Sequence, residues 1–339
     1  MRKEGNLCCK INTVIASLAI DKTHIRPVDP RRDLQAISNL IEVCFADQMD
    51  EEGREYVRQI RHAAQNGDFF RWIYGANERV SLPLGGYVWV EGQRVVGNLT
   101  LIPFRMTTGA ARWRYLIANV AVDPAYRRRG IARQLTLKAL DHIHERHADA
   151  WLQVREDNPP AHNLYLSLGF IERARRATWE PANGLNLPEL PTSVLVTDRK
   201  SQDWPFQSAW LRQAYPPEVA WNLGFYLQRF EPGLWRAISN FFFESPVYQW
   251  AVRRGGRLLG VASWEPGPFR GENLWLAVNP DDEEEALFSL LVRARSVIVT
   301  RRLLSINYPA GRGKIAFDQA GFVKQNTLIW MEIKYTQNR

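Results

Sequence analysis

Three short signatures occur twice along this chain, in the same order and at similar separations, and no other feature constrains its fold as strongly. Arg94-Val95-Val96-Gly97 recurs as Arg257-Leu258-Leu259-Gly260, Ala121-Val122-Asp123-Pro124 as Ala277-Val278-Asn279-Pro280, and Leu168-Gly169-Phe170 as Ala320-Gly321-Phe322. Each signature reads as a junction: a hairpin arm, a strand ending at a turn, and a glycine that stops a helix before the next strand. Junctions repeated in order mark a duplicated fold. From Pro181 to Pro191 the composition shifts to Pro, Asn, Gly and Leu, which marks a linker. The expected division is a poorly ordered extension over 1–23, a first copy over 24–180, a linker over 181–194 and a second copy over 195–339.

Within the first copy the periodicities alternate between strand and helix. Ile25-Arg26-Pro27 suits a short strand, and Asp33 to Phe45 carries Leu34, Ile37, Leu40, Ile41 and Cys44 at helical spacing. A second helix is expected through Tyr56, Val57 and Ile60, followed by the aromatic cluster Phe69, Phe70, Trp72 and Tyr74, read as core beneath a loop. Tyr87–Glu91 and Arg94–Phe104 alternate around Gly92-Gln93 as a hairpin does. A strand over Leu116–Val122, a helix from Ile131 and a strand over Ala150–Val154 follow. The expected class is α/β (α+β three-layer): a mixed, mostly antiparallel sheet flanked by helices, built twice. The aromatic run from Trp204 to Phe243 reads as core and seam of the second copy.

Composition excludes several classes of function. The net charge of +8 is spread evenly, with 26 Lys and Arg against 21 Asp and Glu in residues 1–180 and 18 against 15 beyond, so no basic stripe points to nucleic acid. Three cysteines, two of them adjacent as Cys8-Cys9, do not make a disulfide framework. His142, His144 and His147 fall on one predicted helix without a Cys or Glu partner motif, so no metal site is expected. Leu7 to Ile20 is interrupted by Lys10 and Asn12, and no run reaches the roughly 18 apolar residues of a membrane helix. A cytoplasmic protein with no membrane partner is the expectation, and its oligomeric state is left open.

Chemistry concentrates in the stretch from Asn119 to Ala132. Val120, Ala121 and Val122 form an apolar strand end, Asp123-Pro124 breaks it, and Arg127, Arg128, Arg129 and Gly130 lead into the helix at Ile131. A loop entering a helix presents unpaired backbone N–H groups at the positive end of the helix dipole, a ready phosphate site. Gly130 permits close approach of a ligand, and Ala132 leaves room beside it. A second informative segment follows: Asn158 in a loop, a short helix over Ala161–Leu168 with Leu164 and Leu168 toward the core, Tyr165 on a different face, and Gly169 as the stop.

Val-Ala-Val-Asp-Pro, the Arg127-x-x-Gly130-x-Ala132 turn and the Asn158…Tyr165…Gly169-Phe170 segment together resemble the GCN5-related N-acetyltransferases. The run Val154-Arg155-x-x-Asn158-x-x-Ala161-x-x-Leu164-Tyr165-x-x-x-Gly169-Phe170 is particularly similar to the ribosomal-protein alanine acetyltransferases. The resemblance covers about residues 24–180 well and 195–335 in outline. It implies acetyl-CoA as co-substrate, its pantetheine arm against the backbone of Val120, Ala121 and Val122 and its pyrophosphate on the N–H groups of Arg128, Arg129, Gly130, Ile131 and Ala132, with Arg127 before them and Arg133 next on the helix. It further implies Asn158 as a hold on the arm, Tyr165 as the acid that protonates the departing thiolate, and the Val122 N–H as the group that polarises the thioester carbonyl.

The general base does not carry over, because Gln153 stands where those relatives have glutamate, and it stays unassigned. The second copy has Asp281, Asp282, Glu283, Glu284 and Glu285 where the first has its arginines, and Phe317 where the first has Tyr165, so it is not expected to bind acetyl-CoA. The expected activity is transfer of acetyl to a primary amine by direct attack, without metal. A small-molecule acceptor is favoured; a protein N-terminus or lysine, or a non-catalytic acyl-CoA sensor or scaffold, are the alternatives.

Overall fold

A computed structural model describes residues 23–46, 49, 51–65, 85–106, 113–182, 187–233, 246–266, 272–298 and 304–335. The extension over 1–22, the cluster Phe69, Phe70, Trp72 and Tyr74, and Trp235 with Phe241–Phe243 lie outside the described residues. The chain makes two compact units that do not follow chain order. One takes residues through Val154, Asn158–Glu172 and those from Met331 on; the other takes Arg155–Asp157 and Arg173–Trp330. Residues 173–180, assigned by sequence to the first copy, are thus grouped with the second unit.

In the first unit, strands β1 (Ile25–Pro27), β2 (Gly86–Glu91), β3 (Arg94–Arg105), β4 (Trp113–Val122) and β5 (Asp149–Arg155) lie side by side in that order. Neighbours are antiparallel except β4 and β5, which are parallel. Helix α1 (Pro30–Phe45) starts where Asp29 accepts a hydrogen bond from the Arg31 N–H, with Pro30 as its first residue. Its face of Leu34, Ile37 and Ile41 packs with Val57, Ile60 and Ala63 of helix α2 (Glu51–Gln65) and Val88 of β2. Asp33, nearly fully buried, is held by both guanidinium nitrogens of Arg26, which ties the helix start to β1.

Helix α3 (Ile131–Glu145) makes the parallel crossover from β4 to β5, burying Ile131, Leu135, Leu140 and Ile143. Gly97 lets it sit close to the sheet: a Cβ there would come within 2.9 Å of Ile131 and 3.0 Å of Trp89. Because Gly97 pairs with Val122, the same contact sets the helix start beside the end of β4. His147 lies beyond the end of α3, at φ 53°, and does not share the helix with His142 and His144 as the sequence suggested. Helix α4 (Pro159–Ser167) follows β5.

The second unit holds, in sheet order, most of β12 (Phe322–Ile333) and of β6 (Ile171–Pro181), then β11 (Leu304–Pro309), β10 (Glu272–Val278), β9 (Arg257–Glu265), β8 (Tyr248–Arg254) and β7 (Leu195–Asp198). Strand β6 pairs antiparallel with β11, and β10 runs parallel to β11. Hairpin β8–β9, strand β10 and helix α7 (Glu283–Val297) reproduce hairpin β2–β3, strand β4 and helix α3. Gly260 stands at the corresponding place, where a Cβ would come within 3.2 Å of Leu290 of α7. Helix α5 (Trp204–Ala214) packs Leu211 and Ala214 into a core with Tyr215, Phe225, Phe230 and Trp275, where part of the expected aromatic run is buried. Helices α6 (Pro217–Leu223) and α8 (Lys314–Gln319) complete this unit. No helix among the described residues is long and apolar enough to cross a membrane.

Candidate functional site

Strands β4 and β5 begin as a parallel pair and then part. Their ladder runs from Arg114 opposite Asp149 to Ile117 opposite Leu152, while β4 continues to Val122. On its other edge β4 stays paired to β3, but the register slips: Thr100 faces Ala118 and Asn98 faces Ala121. Asn119 and Val120 therefore share the space opposite Leu99, a β-bulge, with Asn119 at φ 51°. The Asp123 N–H donates to Val96 O at 2.9 Å on the β3 side. By strand alternation Val120 and Val122 turn their backbone groups to the opposite side, into the fork. The bulge was not foreseen from sequence, and neither was Cys44, whose Sγ donates to Val122 O at 3.3 Å.

The turn that follows gathers backbone N–H groups at the start of a helix. Asp123 accepts from the Ala125 N–H and caps a short 3₁₀ turn over Pro124–Tyr126. Arg128 at φ 61° and Gly130 at φ 81° are both left-handed, which turns successive N–H groups toward one concavity at the start of α3. A Cβ on Gly130 would meet nothing within 4 Å, so the space before it is open. The first hydrogen bond within the helix is Gln134 N–H to Gly130 O, which leaves the N–H groups of Ile131, Ala132 and Arg133 without helical acceptors. The three arginines are not equivalent. Arg127 turns back to Val122 O at 3.2 Å, Arg129 lies over the Tyr126 ring, and Arg128 is exposed. Arg133 is drawn toward α4 by a 2.9 Å hydrogen bond to Ser167.

Asn158 caps α4, accepting from the Ala161 N–H through Oδ1, so its Nδ2 is the half that remains to donate. Tyr165 is the buried residue of α4, 6% exposed, with its ring edge-on to Phe170. Sequence reading placed Leu164 in the core and Tyr165 off it; Leu164 is only half-buried, because Tyr165 occupies the interior face. The Tyr165 hydroxyl has no hydrogen-bond partner among the described residues, and burial pushes its pKa well above the ordinary phenol value, so it is a protonated donor at neutral pH. Gln153 sits half-buried on β5. Glu156 is paired with Arg175, and Asp157 with both Arg155 nitrogens, which holds the Asp157 pKa low.

Residues 37–170 match the family model described as the acetyltransferase (GNAT) family. Over this stretch the chain is similar to that family. This segment contains the fork, the turn before α3, Asn158 and Tyr165. Over 64 residues the chain is 44% identical to the ribosomal protein bS18 alanine N-acetyltransferase of Escherichia coli K12, covering 19% of this chain and 43% of that protein. Over 72 residues it is 43% identical to the N-alpha-acetyltransferase RimI of Mycobacterium tuberculosis, covering 21% of this chain and 44% of the relative. The chain thus spans less than half the length of these relatives. In fold, 93% of this chain matches 96% of a GCN5-related N-acetyltransferase from Sphaerobacter thermophilus, with TM-score 0.53 and 13% identity. It also matches the glucosamine N-acetyltransferase region of a fungal multi-domain GH3 β-N-acetylglucosaminidase, with TM-score 0.54 and 11% identity over 91% of this chain and 38% of that one. The likeness in fold therefore extends beyond residues 37–170.

In the second GNAT-like copy, the ground before the corresponding helix is filled by the chain's own carboxylates. Glu283 at the start of α7 accepts from the Tyr308 hydroxyl at 2.7 Å and pairs with Arg312. Glu284 accepts from the Ala316 N–H at 2.6 Å, and Asp282 pairs with Arg254 and Arg257. Phe317, fully buried, stacks on Trp179 at 4.5 Å where the first copy has Tyr165. No group of three or more His, Cys, Asp or Glu side chains suited to a metal ion occurs among the described residues.

Proposed function

We propose that the first copy is an acetyl-CoA-dependent N-acetyltransferase that acts in the cytoplasm. The observation that carries this reading is the conjunction of three features in one unit: the open edge of β4 beyond Ile117, the left-handed Arg128–Gly130 turn on the start of α3, and the buried Tyr165 phenol. Acetyl-CoA, when bound, supplies an activated acyl group as a thioester. The backbone N–H groups of Ile131, Ala132 and Arg133, with the Arg128 charge, hold its pyrophosphate. Val120 and Val122 align the arm along β4, and the Asn158 amide donates to it. The amine nitrogen bonds to the thioester carbon while the Val122 N–H polarises the carbonyl oxygen; as the C–S bond breaks Tyr165 gives its proton to the sulfur, and the proton shed by the nitrogen restores the Tyr165 phenol. Val122 O is already engaged by Cys44 and Arg127, so its N–H is the group that serves.

Since Gln153 cannot accept a proton and Glu156 and Asp157 are held in ion pairs, the acceptor is an amine that is partly neutral on its own. An α-amino or similarly weak amine with pKa near 8 is about one part in ten neutral at pH 7, against about one in a thousand for lysine. We favour a small-molecule amine. The likeness to alanine N-acetyltransferases supports a second reading, the α-amino group of a protein N-terminus. An amine panel graded in pKa, including N-terminal peptides, with acetyl-CoA and thiol detection tests both. Turnover with weak amines and not with lysine is expected. Tight acetyl-CoA binding with no turnover on any amine would instead fit an acyl-CoA sensor.

A further inference from the structure

We infer that Asn98 and Asn119 are positioning residues that keep the fork between β4 and β5 open for the thioester arm. The inference rests on the proposed acetyl-CoA site in the first copy. Asn98 is wholly buried on β3, yet only half of its amide is satisfied: Nδ2 donates to Asn119 O at 3.0 Å, while Oδ1 has no partner among the described residues. Burying an unpaired carbonyl opposes folding, and an apolar side chain of similar size would avoid that cost. What the amide supplies in return is the bond to Asn119. Asn119 is left-handed, which swings its own carbonyl out of the β3–β4 ladder toward that amide. Its side chain is pinned as well, donating to the Tyr56 hydroxyl at 2.8 Å and to Thr100 Oγ1 at 3.4 Å. Thr100 is also wholly buried.

Residues from β3 and α2 thus converge on one strained backbone position, two residues past the last β4–β5 pair at Ile117. Without these bonds Asn119 is free to return to extended backbone. The bulge then loses its cause, and β4 is able to stay beside β5, closing the edge that Val120 and Val122 present.

The test uses the full-length chain and two readouts: acetyl-CoA affinity by calorimetry, and amide hydrogen exchange at Val120 and Val122. Asn98→Ala is expected to weaken acetyl-CoA binding about ten-fold or more and to slow exchange at both amides. Asn119→Val, whose β-branched side chain resists a left-handed backbone, should behave alike. Adding Asn119→Gly to Asn98→Ala should restore both readouts, since glycine adopts the left-handed conformation without help. A merely structural role for Asn98 would not be rescued in that way. If Asn98→Ala does not fold, Tyr56→Phe, which removes one acceptor of the Asn119 amide, should shift both readouts in the same direction by about two- to five-fold. Unchanged affinity and exchange in a folded Asn98→Ala protein, or a folded double variant that recovers neither, would overturn the inference. Wild-type protein that fails to bind acetyl-CoA would overturn the proposed function, while the exchange readout would still decide the role of Asn98.

Discussion

Tyr165 combines two properties that are separable by a single substitution. Its hydroxyl has no hydrogen-bond partner among the described residues, so Tyr165→Phe should cost less than about 1 kcal/mol in unfolding free energy. The same change should lower kcat about a hundred-fold with little change in acetyl-CoA affinity. Equal turnover in the variant would remove Tyr165 from the chemistry. Burial raises the pKa of Tyr165 and pushes that of Tyr56 up to about 12. Below the ordinary phenol value near 10, both folded and unfolded chains keep these protons. Above it the unfolded chain releases them and the folded chain retains them until about 12 for Tyr56, so their contribution to stability is complete below pH 10 and is lost as pH rises through that window. Melting temperature followed from pH 8 to 11 should fall above about pH 10, less steeply in a Tyr165→Phe protein. Phe317 in the second copy lacks this hydroxyl, and the sequence alone is enough to see that. What sequence could not show is that Tyr165 and not Leu164 takes the interior face of α4, because with Gly169 so near one apolar turn does not define a face.

At the scale of elements, the contact through Gly97 joins helix, sheet and site. Gly97→Ala would drive a Cβ into Ile131 and Trp89, costing about 1–3 kcal/mol and shifting the start of α3 away from Val122. Calorimetric acetyl-CoA affinity should fall with stability, whereas Arg128→Glu should weaken binding about ten-fold at low salt with no loss of stability, an effect shrinking as ionic strength rises. Strands, hairpins and the helices around the site were legible from periodicity: β1, α2, the β2–β3 hairpin and the Ile131 start appear where sequence put them. The strand Val120–Val122 was legible too, but its bulge was not. A bulge caused by Asn98, Thr100 and Tyr56 depends on side chains up to 63 residues away in sequence, and no local pattern records them. The ion pairs of Glu156 and Asp157 are equally non-local or invisible to spacing.

At the scale of the molecule, duplication was legible because each copy keeps the same junctions in the same order. The membership of the units was not, since nothing in the pattern of Ile171–Pro181 says which sheet receives the strand; β6 pairs with β11 in the second unit. The charge reversal between copies was legible in Asp281–Glu285, and the structure adds that Asp282, Glu283 and Glu285 are engaged by Arg254, Arg257, Tyr308 and Arg312. The second copy is therefore filled where the first is open. Acetyl-CoA binding should depend on the first copy alone, and Gly130→Ala, which strains a left-handed residue and puts a methyl group into the turn before α3, should not be compensated by the second. Calorimetric titration of the full-length chain with acetyl-CoA tests this most directly. One site per chain, lost in the Gly130→Ala protein, is the expected result; two sites per chain, or one site that survives that substitution unchanged, would contradict it.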